Sequence, residues 1–160
     1  MSEVTVDIKV LCVDDDDEMC SFYDSAIRDM GFTPLISKSG KEAIDLISSH
    51  WRDIAIVITD QDMPNLSGVE LREEVYKSYP DIPFIFVSGF ISKEDALEAL
   101  ENKILGFFEK PLTLEYFREK IVKLTEERIE EISDEREILE GFLAEAELLI
   151  EEIEGLVEEI

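Results

Sequence analysis

Ile54-Ala55-Ile56-Val57-Ile58-Thr59-Asp60 is a run of six apolar or β-branched residues closed by a carboxylate. Without polar alternation it reads as a strand buried on both faces, as in a parallel sheet covered by helices. A second run, Lys9-Val10-Leu11-Cys12-Val13, ends the same way in Asp14-Asp15. Three carboxylates delivered to the carboxyl ends of buried strands bring negative charges close together, which is costly unless a cation joins them. Oxygen-only ligands select a hard ion, Mg²⁺ before Zn²⁺.

Outward from these runs, short β-branched stretches alternate with amphipathic ones, the pattern of βαβ units. Strands are predicted at about 7–13, 32–37, 54–59, 83–87 and 105–108. Helices are predicted near 17–30, 40–50, 67–78, 92–102 and from 113 onward. Ser39, Ser67 and Ser92 each stand three residues before an acid (Glu42, Glu70, Asp95), the spacing of a capping box. Gly31 is placed to end the first helix and Pro80 to follow the third. The expected fold is α/β, an open doubly wound sheet of five parallel strands with five helices. Its ligands should lie outside the strand carboxyl ends, where Asp14, Asp15, Asp60, Ser88 and Lys110 all fall.

The chain has 160 residues, 45% of them hydrophobic, and a formal net charge of −25 from 40 acidic and 15 basic residues. The apolar content suffices for a packed core, while the charge opposes binding to nucleic acid or anionic membranes. No basic-then-apolar leader or 18-residue apolar run is seen, so a cytoplasmic protein is expected. Cys12 and Cys20 lack CxxC spacing and read as reduced thiols.

Past about residue 124 the character changes, which suggests a main domain over 1–124 and a helical extension over 125–160. Residues 126–160 hold 15 acids against Arg128 and Arg136, a balance of −13. Leu139, Phe142, Ala146, Leu149, Ile153, Leu156 and Ile160 recur at alternating spacings of three and four, a coiled-coil seam. Either one helix runs from 113 to 160, or two meet near Ser133-Asp134. A narrow seam on so charged a surface needs a partner, either a second copy or the chain's own body.

Taken singly, each strand-end residue has a plainer reading. Asp60 can cap a turn, Asp14-Asp15-Asp16-Asp17 can be an acidic helix start, and Ser88 and Lys110 can be solvated loop residues. Together, carboxylates, a hydroxyl and an ammonium at separate strand ends make a site for handling phosphate.

Val13-Asp14-Asp15, Asp60 with Met63-Pro64 and Gly68, Ser88, and Lys110-Pro111 resemble, in order, the receiver domain of two-component response regulators. The resemblance covers about residues 7–124. It implies strand order 2-1-3-4-5 and a phosphoacceptor, Asp60, charged by a histidine kinase or phosphotransfer protein. It further implies Mg²⁺ held by Asp15, Asp60 and the backbone carbonyl of Asp62, with Asp14 acting through water. Lys110 would contact the phosphoryl group through a loop with a cis Lys110-Pro111 peptide. Ser88 and Phe107 would take the two switch positions, Phe107 without the hydroxyl of the family's usual Tyr. Asp62 and Phe90 stand where the family tunes phosphoryl lifetime. His50 is the single histidine, which argues against an internal phosphohistidine module. Such a protein is a phosphoacceptor rather than a turnover enzyme, and its output is expected through protein contact, as a homodimer formed by 125–160.

The alternative is a Mg²⁺-dependent phosphatase of the haloacid dehalogenase type, since Asp60-Gln61-Asp62 resembles its paired acids. That family's last acidic pair follows its lysine, whereas Asp14-Asp15 precede Asp60 here.

Overall fold

The computed structural model describes residues 7–94, 97, 101 and 104–159. The strands are β1 (Lys9–Val13), β2 (Thr33–Ser37), β3 (Ile54–Asp60), β4 (Phe84–Ser88) and β5 (Gly106–Glu109). Among the described residues the helices are α1 (Asp17–Asp29), α2 (Gly40–His50), α3 (Gly68–Tyr76) and α4 (Leu114–Glu158). Of the helix expected over 92–102, residues 93, 94, 97 and 101 are described and helical, while 95, 96, 98–100 and 102, with Asp95 of its expected capping box among them, lie outside the described residues. All strands are parallel in the order β2-β1-β3-β4-β5.

Every residue of β3 is buried, as its unbroken apolar run requires. Alternate side chains serve opposite faces of the sheet. Ile56 and Ile58 pack with Tyr23 and Ile27 of α1 and Phe117 and Ile121 of α4. Val57 packs with Ala43 and Ile47 of α2 and Leu71 and Val75 of α3.

Side-chain caps set where the helices begin. Ser67 and Glu70 form a reciprocal capping box on α3. Ser39 caps α2 through Glu42 N, but the Glu42 carboxylate accepts from Lys38 N, so the expected box closes only on one side. Asp16 caps α1 by accepting from Glu18 N at 3.0 Å. Gly31, at φ +86°, turns the chain out of α1 in the left-handed region that glycine adopts without strain.

Residues 114–158 form one helix, 45 residues long, and Ser133-Asp134 do not interrupt it. Its packing on the body continues beyond residue 124. Ile132 is buried against Ile8 and Ala55, and Arg136 pairs with Asp53 at the foot of β3. Beyond Arg136 every described residue is exposed, Phe142 at 64% and Leu149 at 58%. The fold-back of this segment onto its own body, weighed from the sequence, is therefore not what the helix does. No described helix is long and apolar enough to cross a membrane.

Candidate functional site

The site lies at the carboxyl ends of β1, β3, β4 and β5: Asp60 and Ser88 are the last residues of β3 and β4, and Asp14 and Lys110 directly follow β1 and β5. The Asp14 amide donates to Ser37 O at 3.0 Å, and its carboxylate accepts from Asp16 N at 2.9 Å. Asp14 is wholly buried, Asp60 is 4% exposed, and Asp15 faces solvent. One oxygen from each of the three carboxylates lies within 4.8 Å of the others. Donors of this hardness and spacing fit a divalent cation of the Mg²⁺ kind.

Lys110 enters from the end of β5, held by its amide's bond to Ser88 O at 2.8 Å. Its ammonium is 3.3 Å from Asp14 Oδ2 and 3.6 Å from Asp60 Oδ2. Burial alone would pull the lysine pKa down, but Asp14 and Asp60 outweigh it and the ammonium is held above its ordinary value. Asp60 is pushed up to about 6, first by burial and then by the charge of Asp14, with Lys110 opposing both. The Lys110-Pro111 peptide is cis.

The loop after β3 is shaped for close approach. A Cβ on Gly68 would stand 2.8 Å from Asp60 O and 2.9 Å from Gln61 Oε1, so only glycine fits there. Gln61 Oε1 accepts from Val69 N at 3.0 Å and ties the loop to the start of α3. Asn65 takes the left-handed region at φ 70°, which asparagine tolerates better than most residues. The sequence marked Gly68 but gave no signal for the Gln61 brace.

Ser88 ends β4 and is buried. Its hydroxyl has two acceptors in reach, Asp62 Oδ2 at 3.1 Å and Phe90 O at 2.9 Å. Asp62 N donates to Asp60 Oδ1 at 3.3 Å. Phe107 is half-buried, its ring 5.5 Å from that of Phe86 and thus on the α2–α3 side of the sheet. Phe90 is 74% exposed beside the site. His50 closes α2 at the end of the molecule opposite the carboxylates.

Residues 10–122 match the response regulator receiver domain family. A chemotaxis protein CheY homolog of Campylobacter jejuni is 31% identical over 117 residues, covering 71% of this chain and 89% of that protein. The sensor kinase CckA of Brucella abortus is 31% identical over 119 residues. There the match covers 74% of this chain but spans only 13% of the kinase's length. Among solved structures, a CheY-like receiver domain protein of Methanospirillum hungatei superposes with a TM-score of 0.71 at 24% identity, covering 78% of this chain and 98% of that one. The chain belongs to the response regulator receiver domain family, the phosphoacceptor domain of two-component signalling.

The phosphatase reading does not survive this comparison. Among the described residues no strand follows Lys110, where that reading needs a late acidic pair, because α4 takes up residues 114–158.

Proposed function

We propose that Asp60 is the residue that takes the phosphoryl group, from a phosphohistidine on a sensor kinase or phosphotransfer protein. A carboxylate oxygen of Asp60 attacks phosphorus. The P–O bond forms as the P–N bond breaks, and the imidazole nitrogen leaves with the electron pair. The observation that carries this reading is the convergence of Asp14, Asp15 and Asp60 with one ammonium, Lys110. A pKa of about 6 leaves Asp60 ionised, and so nucleophilic, near neutrality. The donor histidine belongs to another protein, since His50 lies at the opposite end of this one.

Asp15, Asp60 and the main-chain carbonyl of Asp62 would hold Mg²⁺, with Asp14 behind them acting through water. When bound, the ion supplies the charge neutralisation that a phosphoryl group needs among carboxylates. Lys110 orients the incoming group and balances its charge. Aspartyl phosphate then offers Ser88 stronger acceptors than it has now. As Ser88 turns toward them it opens space beside Phe107, and the face around β5 and α4 repacks as a population shift.

This reading makes the protein a cytoplasmic phosphoacceptor without enzymatic turnover on other substrates. Its output is protein contact, through a homodimer built on the exposed part of α4, and its strong negative charge disfavours nucleic acid and anionic membranes as partners. Incubation with acetyl phosphate tests the chemistry. Label should enter the wild type in Mg²⁺, and should be lost with chelator or in Asp60→Asn. Equal labelling of Asp60→Asn would overturn it.

A further inference from the structure

We propose that the exposed half of α4 pairs with a second copy of itself in an antiparallel sense, Leu139 meeting Leu156 and Phe142 meeting Ile153. The proposal rests on the reading of this segment as the dimer element and adds its direction and register.

Three observations carry it. The first is the direction in which the stripe faces. Ile121, Thr125 and Ile132 are buried against the chain's own body, and the same alternation of threes and fours continues them into Leu139, Phe142 and Ala146. Residues so spaced share one face of a helix, so the unpartnered stripe looks toward the side on which the body lies. A parallel partner would have to run its own residues 114–136 up that side, into space already filled by the core of the first copy. An antiparallel partner instead carries its body past the far end of the helix, about 35 Å from Arg136 at 1.5 Å per residue.

The second is the width of the stripe. Leu143, Ile150 and Val157 form a further apolar row, exposed at 63%, 54% and 64%. Two rows suffice for a coiled-coil seam, and a third asks for more cover. In a parallel pair this row faces Glu145 and Glu152. In an antiparallel pair it faces its own kind, Leu143 against Ile150.

The third is charge. Residues 137–159 hold nine acids and no base, and the cations of the extension, Arg128 and Arg136, stand at its start. Antiparallel pairing brings Glu158 and Glu159 of one copy to the Arg136 end of the other, where the Arg136 guanidinium, already paired with Asp53 of its own body, is still partly exposed. It also sets Glu145 against Glu152 along the opposite edge, where solvent and salt screen them.

Disulfide trapping in the full-length protein tests this. Cys12 and Cys20 are buried in the body, so Leu139→Cys and Leu156→Cys each introduce one exposed thiol at a site where folding does not depend on the side chain. Under mild oxidation, a covalent dimer is expected when the two variants are mixed and should be absent from either alone and from wild type. Dimers from each variant alone would overturn the antiparallel arrangement, and so would no dimer in the mixture. Light scattering of the unoxidised protein separates the two readings. A dimer's mass without the mixed crosslink rejects only the direction and register, whereas a monomer's mass rejects the dimer element as well.

Discussion

The Ser88 hydroxyl stands 3.1 Å from Asp62 Oδ2, although the two residues are 26 positions apart. A hydroxyl has one proton, and here its acceptors lie at the rim of the site, on Asp62 and Phe90, rather than on Asp60. Turning toward a phosphoryl group therefore means giving up a bond shared between the Asp62 carboxylate and the Phe90 carbonyl. Such a bond is worth about 1 kcal/mol or slightly more. Asp62→Ala should raise the apparent affinity for beryllofluoride, a phosphoryl mimic, by about fivefold at saturating Mg²⁺. Unchanged or weaker binding would show that this contact does not restrain the switch.

The raised pKa of Asp60 makes the site a local cost to stability. In the unfolded chain an aspartate ionises near pH 3.9, about two units lower. The native state therefore holds its proton more tightly, and stability is lost as pH rises from about 4 through about 6. Asp60→Asn should stabilise the metal-free protein by about 1–2 kcal/mol at pH 7.5, allowing for screening at the open mouth of the site, and by little at pH 4. Mg²⁺ should raise the wild-type melting temperature at pH 7.5 and lose that effect at pH 4, because protons and metal compete for the same oxygens. Thermal unfolding at both pH values, with and without Mg²⁺, checks the sign.

Gly68 is expected to be intolerant of any side chain. Gly68→Ala places a methyl against the backbone of Asp60 and Gln61, and should cost about 1–3 kcal/mol. It should also slow phosphorylation, since the displaced carbonyl belongs to Asp60, the proposed acceptor. Denaturant unfolding and acetyl phosphate labelling measure the two effects, and a variant of wild-type stability would contradict the close approach.

The two halves of α4 should respond differently to truncation of a side chain. Ile132 is 1% exposed among Ile8, Ala55 and Phe32, so Ile132→Ala should destabilise the fold by about 2–4 kcal/mol. Leu149→Ala, at an exposed position, should change the stability of the monomer by about 0.5 kcal/mol or less. Unfolding at protein concentrations low enough to exclude dimers compares them directly.

Much of this was legible in the residues, because strands buried on both faces write themselves as continuous apolar runs and their carboxyl ends coincide with the acids, Ser88 and Lys110. The seam in 139–156 was equally plain as a pattern. What the pattern omitted was its surroundings. The contacts of Ile132 with Ile8 and of Arg136 with Asp53 join segments far apart in the chain, and no local spacing announces them. Ser133-Asp134 offered a helix start that burial of Ile132 overrides. The Glu42 carboxylate turned to Lys38 rather than closing its box, a choice between neighbouring amides that spacing cannot make.

In the proposed function the acids at the ends of β1 and β3 prepare one of their number, Asp60, to carry phosphate. Borohydride reduction converts an aspartyl phosphate to homoserine, and peptide mass spectrometry then reads its position. After treatment with acetyl phosphate and Mg²⁺, homoserine is predicted at position 60 alone. Homoserine at 14, 15 or 62 instead, or at none of these, would contradict the account.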